Sequence, residues 1–153
     1  MHPFDLKTVL LAKHAQHVVL IHFPIALFLA GVAFDFLAHW TKRQSLAAAA
    51  YCNLFVAALS SIPVLVTGVL AWQWQLEGQR LKGILLQHLV LGSASSALIW
   101  LAWFIHARAR HDNGYNRNGL LPGYRLPIEA LGTVVVAITG HLGGFLSGVN
   151  GPG

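Results

Sequence analysis

Four long apolar stretches, at 17–40, 46–72, 83–106 and 127–146, constrain this chain more than anything else in it. A helix rising about 1.5 Å per residue needs roughly 20 apolar residues to cross a hydrocarbon layer about 30 Å thick, and each stretch meets that length. Charged residues make up 10% of the 153-residue chain, where an ordinary soluble domain carries roughly a quarter. The stretches show neither the alternation nor the roughly 10-residue length of barrel strands, and a helix satisfies its own backbone in lipid. The expectation is an all-α integral membrane four-helix bundle, one domain over residues 1–153, with both termini on the same side.

The amino terminus lacks a charged start followed by an apolar run and a small-residue cleavage site, so the first helix is expected to stay as an uncleaved anchor. Val9, Leu10, Leu11 and Ala12, among polar neighbours, read as a short interfacial helix. One cysteine, Cys52, excludes an internal disulfide and every multi-cysteine metal or haem-attachment motif. The net charge of +5 does not point to nucleic acid, because the lysines and arginines sit at or between helix ends and form no basic face. The terminal side holds Lys7, Lys13, Arg80 and Lys82, and the opposite side holds Lys42, Arg43, Arg108, Arg110, Arg117 and Arg125. The positive-inside rule then places the termini outside the cytoplasm.

The histidines gain meaning from their depth. His22 and His88 each lie about five residues into a helix entering from the terminal side, and His141 about six residues before a helix returns to it. All three fall about 7 to 9 Å below one boundary. His14 and His17 sit at that boundary, while His39, His106 and His111 sit at the opposite interface. Intramembrane ionisable residues are costly and commonly mark a site, although a histidine can also simply hydrogen-bond a neighbouring helix.

A b-type haem needs two neutral imidazoles on facing helices and room for a flat ring. Small residues follow His88 in "GSASSA", beginning at Gly92, and surround His141 in "TGHLGG", with Gly140, Gly143 and Gly144. Packing through small-xxx-small pairs is the plainer use of such residues. Zinc or copper also accepts imidazoles, but the nearest carboxylates, Asp5 and Glu77, lie outside the apolar layer. His22, His88 and His141 are therefore the haem-iron candidates, two of the three, with His17 a weaker one. Pro24 cannot donate to the Leu20 carbonyl, and that carbonyl is expected to accept an N–H from His22 and fix its tautomer.

Asp35 lies about 220° round the helix from His22 and is expected to partner His39, Lys42 or Arg43 locally, with a place on a proton path as the alternative. Glu129 reads as a first-turn carboxylate facing the helix dipole. Trp72, Trp74, Trp100 and Trp103 read as an interfacial belt. The polar loop at 108–127 reads as solvated and in contact with lipid headgroups. No P-loop, dinucleotide fingerprint, nucleophile elbow or metalloprotease helix is present.

The chain resembles a bacterial family of four-helix membrane proteins, domain of unknown function two-two-three-one. The resemblance rests on His17, on "IHFPIAL" at 21–27 followed by Asp35, on a histidine early in helix three, His88, and on "GHLGG" at 140–144. Val18 stands where the family's hallmark usually has proline. The family name confers no activity, but members occur beside or fused to cytochrome-like domains, which makes electron transfer the expectation. The function expected is a haem-b-binding electron-transfer subunit of a larger respiratory or photosynthetic complex in the bacterial inner membrane, with a quinone possible nearby. Its partners are lipids and other subunits. A bis-histidine haem leaves no open position for substrate, so no catalytic residue is assigned. The alternatives are a cofactor-free accessory subunit and a metal-ion handling protein using His14, His17 and His22.

Overall fold

The computed structural model describes residues 13–75, 77–78, 80–113 and 121–147. Every regular element among them is helical: α1 (Lys13–Leu20), α2 (His22–Thr41), α3 (Gln44–Gln75), α4 (Gly83–Asn113) and α5 (Arg125–Leu146). Four spans, Gln16–Thr41, Gln44–Trp74, Gly83–His111 and Arg125–Leu146, are long and apolar enough to cross a membrane. The stretch 9–12, expected as an interfacial helix, lies outside the described residues.

The first span is interrupted at Ile21, between α1 and α2. Pro24 is the physical reason. Its missing N–H removes the bond that would tie the Leu20 carbonyl into the helix. Lys42 ends α2 in the left-handed region, φ 58°, while its N–H bonds the Ala38 carbonyl at 2.8 Å. With only Lys42 and Arg43 between them, α2 and α3 fold back as an antiparallel pair.

The helices form a ring in which α2 packs on α3, α3 on α4, α4 on α5, and α5 closes on α2. Lipid tails are as apolar as leucine, so close packing rather than exclusion from water holds such a ring together. The core is built accordingly, from Phe28, Val32, Leu54, Ala57, Ala58, Ile99, Ala102 and Val136. Two glycines permit the closest approaches. A Cβ on Gly31 would stand 3.0 Å from Leu54 side-chain atoms, and one on Gly132 would stand 2.8 Å from the Phe28 ring. Trp100 and Trp103, expected at the interface, instead pack against this core, edge to face with centroids 5.5 Å apart.

The packing is uneven along the bundle. Buried side chains run from Pro24 to Ala38, Ala47 to Ser61, Ser95 to His106 and Arg125 to Val136. None of the side chains described at 16–23, 62–74, 83–94 or 137–147 is buried. The end nearest the termini is thus loosely packed, and the opposite end is dense.

Candidate functional site

The three depth-matched histidines all lie in the loosely packed end. His88 on α4 is half-buried, and its Nδ1 donates to the Thr139 carbonyl of α5 at 3.2 Å. A carbonyl only accepts, so a proton sits on Nδ1, and in the neutral imidazole Nε2 keeps its lone pair. The ring lies against Gly143, where a Cβ would stand 3.1 Å from His88 Cε1. Thr139 is itself fixed, its hydroxyl donating to Val135 O at 2.7 Å and accepting from Ser95 Oγ at 3.0 Å.

His22 is exposed, and its Nδ1 donates to Val18 O at 2.7 Å. The sequence pointed to the Leu20 carbonyl. The Val18 carbonyl takes that part instead, four residues back along the first span, and leaves Nε2 outside the contact. His141 is exposed and meets Phe145 edge to face at 5.0 Å. A Cβ placed on Gly140 would meet nothing within 4 Å, and one on Gly92 only Thr139 Cγ2 at 3.8 Å. Gly144 is half-buried. The three imidazoles are not joined to one another by any described hydrogen bond.

His17 bonds across to α3, its Nδ1 3.1 Å from Thr67 Oγ1, with its ring against Gly68. A cross-helix bond of this kind is worth about 0.6–2 kcal/mol in a membrane. His17→Ala is expected to loosen the first span from α3 by that amount, read as earlier unfolding in a micelle denaturation series. The side chain of His14 lies outside the described residues.

The dense end holds a group that local reading of the sequence did not assemble. Asp35 of α2, His106 of α4, and Arg125 and Glu129 of α5 are all at most 2% exposed. Arg125 grips Asp35 with both arms of its fork, Nε to Oδ2 at 2.6 Å and NH2 to Oδ1 at 3.2 Å. Its remaining arm donates to the carbonyls of Leu121 and Pro122 at 2.9 and 3.0 Å, tying down the approach to α5. His106 Nε2 lies 2.8 Å from Glu129 Oε1 and 3.9 Å from Asp35 Oδ2. Glu129 Oε2 is buried without a hydrogen-bond partner.

Three expectations are corrected here. Asp35 pairs with Arg125, ninety residues away, rather than with His39, Lys42 or Arg43. Glu129 is not a first-turn carboxylate, because α5 begins at Arg125 and the side chain faces inward to His106. His106 is not at a helix end, because α4 continues past it to Asn113 and its side chain is buried in the bundle. That extension is supported by Arg110, whose guanidinium lies over the Tyr51 ring at 4.3 Å.

Asp35, His106 and Glu129 bring one ligand atom each to within 4.8 Å of one another. A metal there would have to compete with the Arg125 guanidinium for both Asp35 oxygens, and the donor set is poorly suited to one. A cleft at this end of the bundle, bordered by His39, Lys42, Arg43 and Gln44, leads to Asp35 and Arg125.

A family described as predicted membrane protein (DUF2231) matches residues 13–151. The chain belongs to this family. The match spans both the histidine-bearing end and the buried Asp35–Arg125–His106–Glu129 group of this DUF2231 member. No curated protein and no solved structure matches the chain.

Proposed function

We propose that this DUF2231 protein is a transmembrane electron-transfer subunit carrying a b-type haem at the loosely packed end. The observation that carries the reading is the shared state of His88 and His22, each with Nδ1 committed to a backbone carbonyl. Metal-bound histidines are oriented in this way, by a hydrogen bond from the nitrogen that does not ligate. The site's fit to the group rests on three features. The donors are two imidazoles with Nε2 available, the surrounding residues Gly92, Gly140, Gly143 and Gly144 are small, and no side chain described at that depth is buried. His88 and His22 would hold the iron, with His141 the reserve ligand or a partner to a propionate or quinone.

When bound, the haem supplies one-electron transfer, its potential tuned by ligand identity and burial. The chain's own part is to orient. Thr139, braced by Ser95, holds the His88 ring. The Val18 carbonyl holds the His22 ring. The excess of arginine and lysine around the opposite helix ends supports termini outside the cytoplasm in a bacterial inner membrane. The haem would then sit near the outer face, within a larger respiratory or photosynthetic assembly.

The test is a visible spectrum of protein purified in detergent after expression with ample haem. The expected result is a cytochrome band that sharpens on dithionite reduction and disappears in His88→Ala while circular dichroism shows the helices intact. A helical preparation without that band overturns the proposal and favours an accessory subunit whose loosely packed end is covered by a partner. Zinc or copper bound in its place, and lost on replacing His14 and His17, favours metal-ion handling.

A further inference from the structure

We infer that the His106–Glu129 pair is a proton-binding site, set beside the Asp35–Arg125 pair that lines a cleft at the end of the bundle opposite the termini. Charge and geometry at the dense end carry it, independently of any haem.

Asp35 and Arg125 cancel one another through their forked contact. Glu129 then leaves the buried group with one uncompensated negative charge, in surroundings where an isolated ion is far too costly to keep. One proton shared between Glu129 and His106 restores neutrality. A proton on His106 leaves a carboxylate whose Oε2 finds no donor. A proton on Glu129 Oε1, donated to the Nε2 lone pair of His106, turns the unpartnered Oε2 into a neutral carbonyl oxygen, which costs less to bury bare. The geometry therefore favours the neutral acid and neutral imidazole. The proton balance is simple: a hydronium ion gives up one O–H bond and becomes water, Glu129 Oε1 gains the O–H bond, and the reverse step returns the proton.

The charged and titratable groups facing the pair are few. Asp35 comes from α2 and Arg125 from α5, and α3 contributes no acidic or basic residue. The carboxylate of Asp35 stands 3.9 Å from His106 Nε2 and borders the cleft with His39, Lys42 and Arg43. It stands between the pair and that cleft. A metal ion is the less suitable occupant, since a divalent cation would overshoot the single missing charge and crowd the guanidinium.

Infrared difference spectroscopy on the purified full chain in lipid nanodiscs tests the inference. The chain has two glutamates, Glu129 and the exposed Glu77, so ¹³C-glutamate labelling assigns bands without any substitution. The expected result is a glutamic-acid carbonyl band at neutral pH that shifts with the label, shifts again in D₂O, and titrates away reversibly as pH rises while the helices stay folded. Glu129→Gln removes that band, and the labelled wild type keeps the test decisive if this variant fails to fold. Three results would overturn the inference. One is no labelled acid band at any pH. Another is a band that neither exchanges with D₂O nor titrates, which marks a locked structural contact. The last is loss of the band on adding zinc at constant pH, which would show a metal site.

Discussion

Arg125→Ala is expected to be the most damaging single substitution in the buried group, costing about 3–5 kcal/mol, the usual penalty for removing one partner of a buried ion pair. Asp35 is fully buried and takes two donors from Arg125, so alanine leaves an ionised carboxylate with no compensating charge. The same change releases the carbonyls of Leu121 and Pro122, so the approach to α5 loosens as well. Asp35→Asn is expected to cost less, because an amide can still accept from the guanidinium, while the double variant Asp35→Leu with Arg125→Leu is expected to recover most of the loss. Reversible unfolding in mixed micelles measures each step of this cycle. A loss below about 1 kcal/mol for Arg125→Ala would mean that the pair behaves as a solvated one, and the burial argument would fail with it.

The second large effect concerns space rather than charge. Gly132→Val is expected to destabilise the bundle by about 1–3 kcal/mol or more, as overpacking does in a filled core. Even the first added carbon would stand 2.8 Å from Phe28 Cζ and 3.7 Å from Leu98 Cβ. Phe28 cannot swing aside, because it is fully buried in the central cluster. Shortening the ring in a Phe28→Leu background is expected to restore part of the stability, which identifies the clash as the cause. Gly140→Ala, on the same helix with nothing within 4 Å, is expected to change stability by no more than about 0.5 kcal/mol. Equal losses at the two glycines would show that backbone effects of glycine, and not Phe28, set the cost.

The spans were legible because length and apolarity are local properties, read one stretch at a time. Their ends were not, and the consequence was large. Placing the third boundary at His106 and the fourth at Pro127 put His106 and Arg125 at the water surface, whereas α4 runs to Asn113 and α5 starts at Arg125. Both residues are therefore drawn inside. The signal that would have joined them was the one already used for His22, His88 and His141, a comparison of depth between helices. Applied from the other boundary with the observed span ends, Thr41, His111 and Arg125, it places Asp35, His106 and Glu129 on nearly one level. Local spacing pulled the opposite way, since His39, Lys42 and Arg43 stand close to Asp35 in sequence, and a partner ninety residues away leaves no periodic trace. The orientation of the His88 ring was equally hidden, because it depends on the backbone carbonyl of Thr139 and not on any side-chain pattern.

The uneven packing gives the molecule the mechanics of a set of levers. Its helices are clamped together where Asp35, Arg125, His106 and Glu129 interlock and held only lightly where the chain enters and leaves the bundle. A tilt of about 1° at the clamp displaces the far tip of a helix about 30 Å long by about 0.5 Å. The displacement produced by an angular change at the clamp is thereby largest at the histidine-bearing tips, the part of each helix farthest from it.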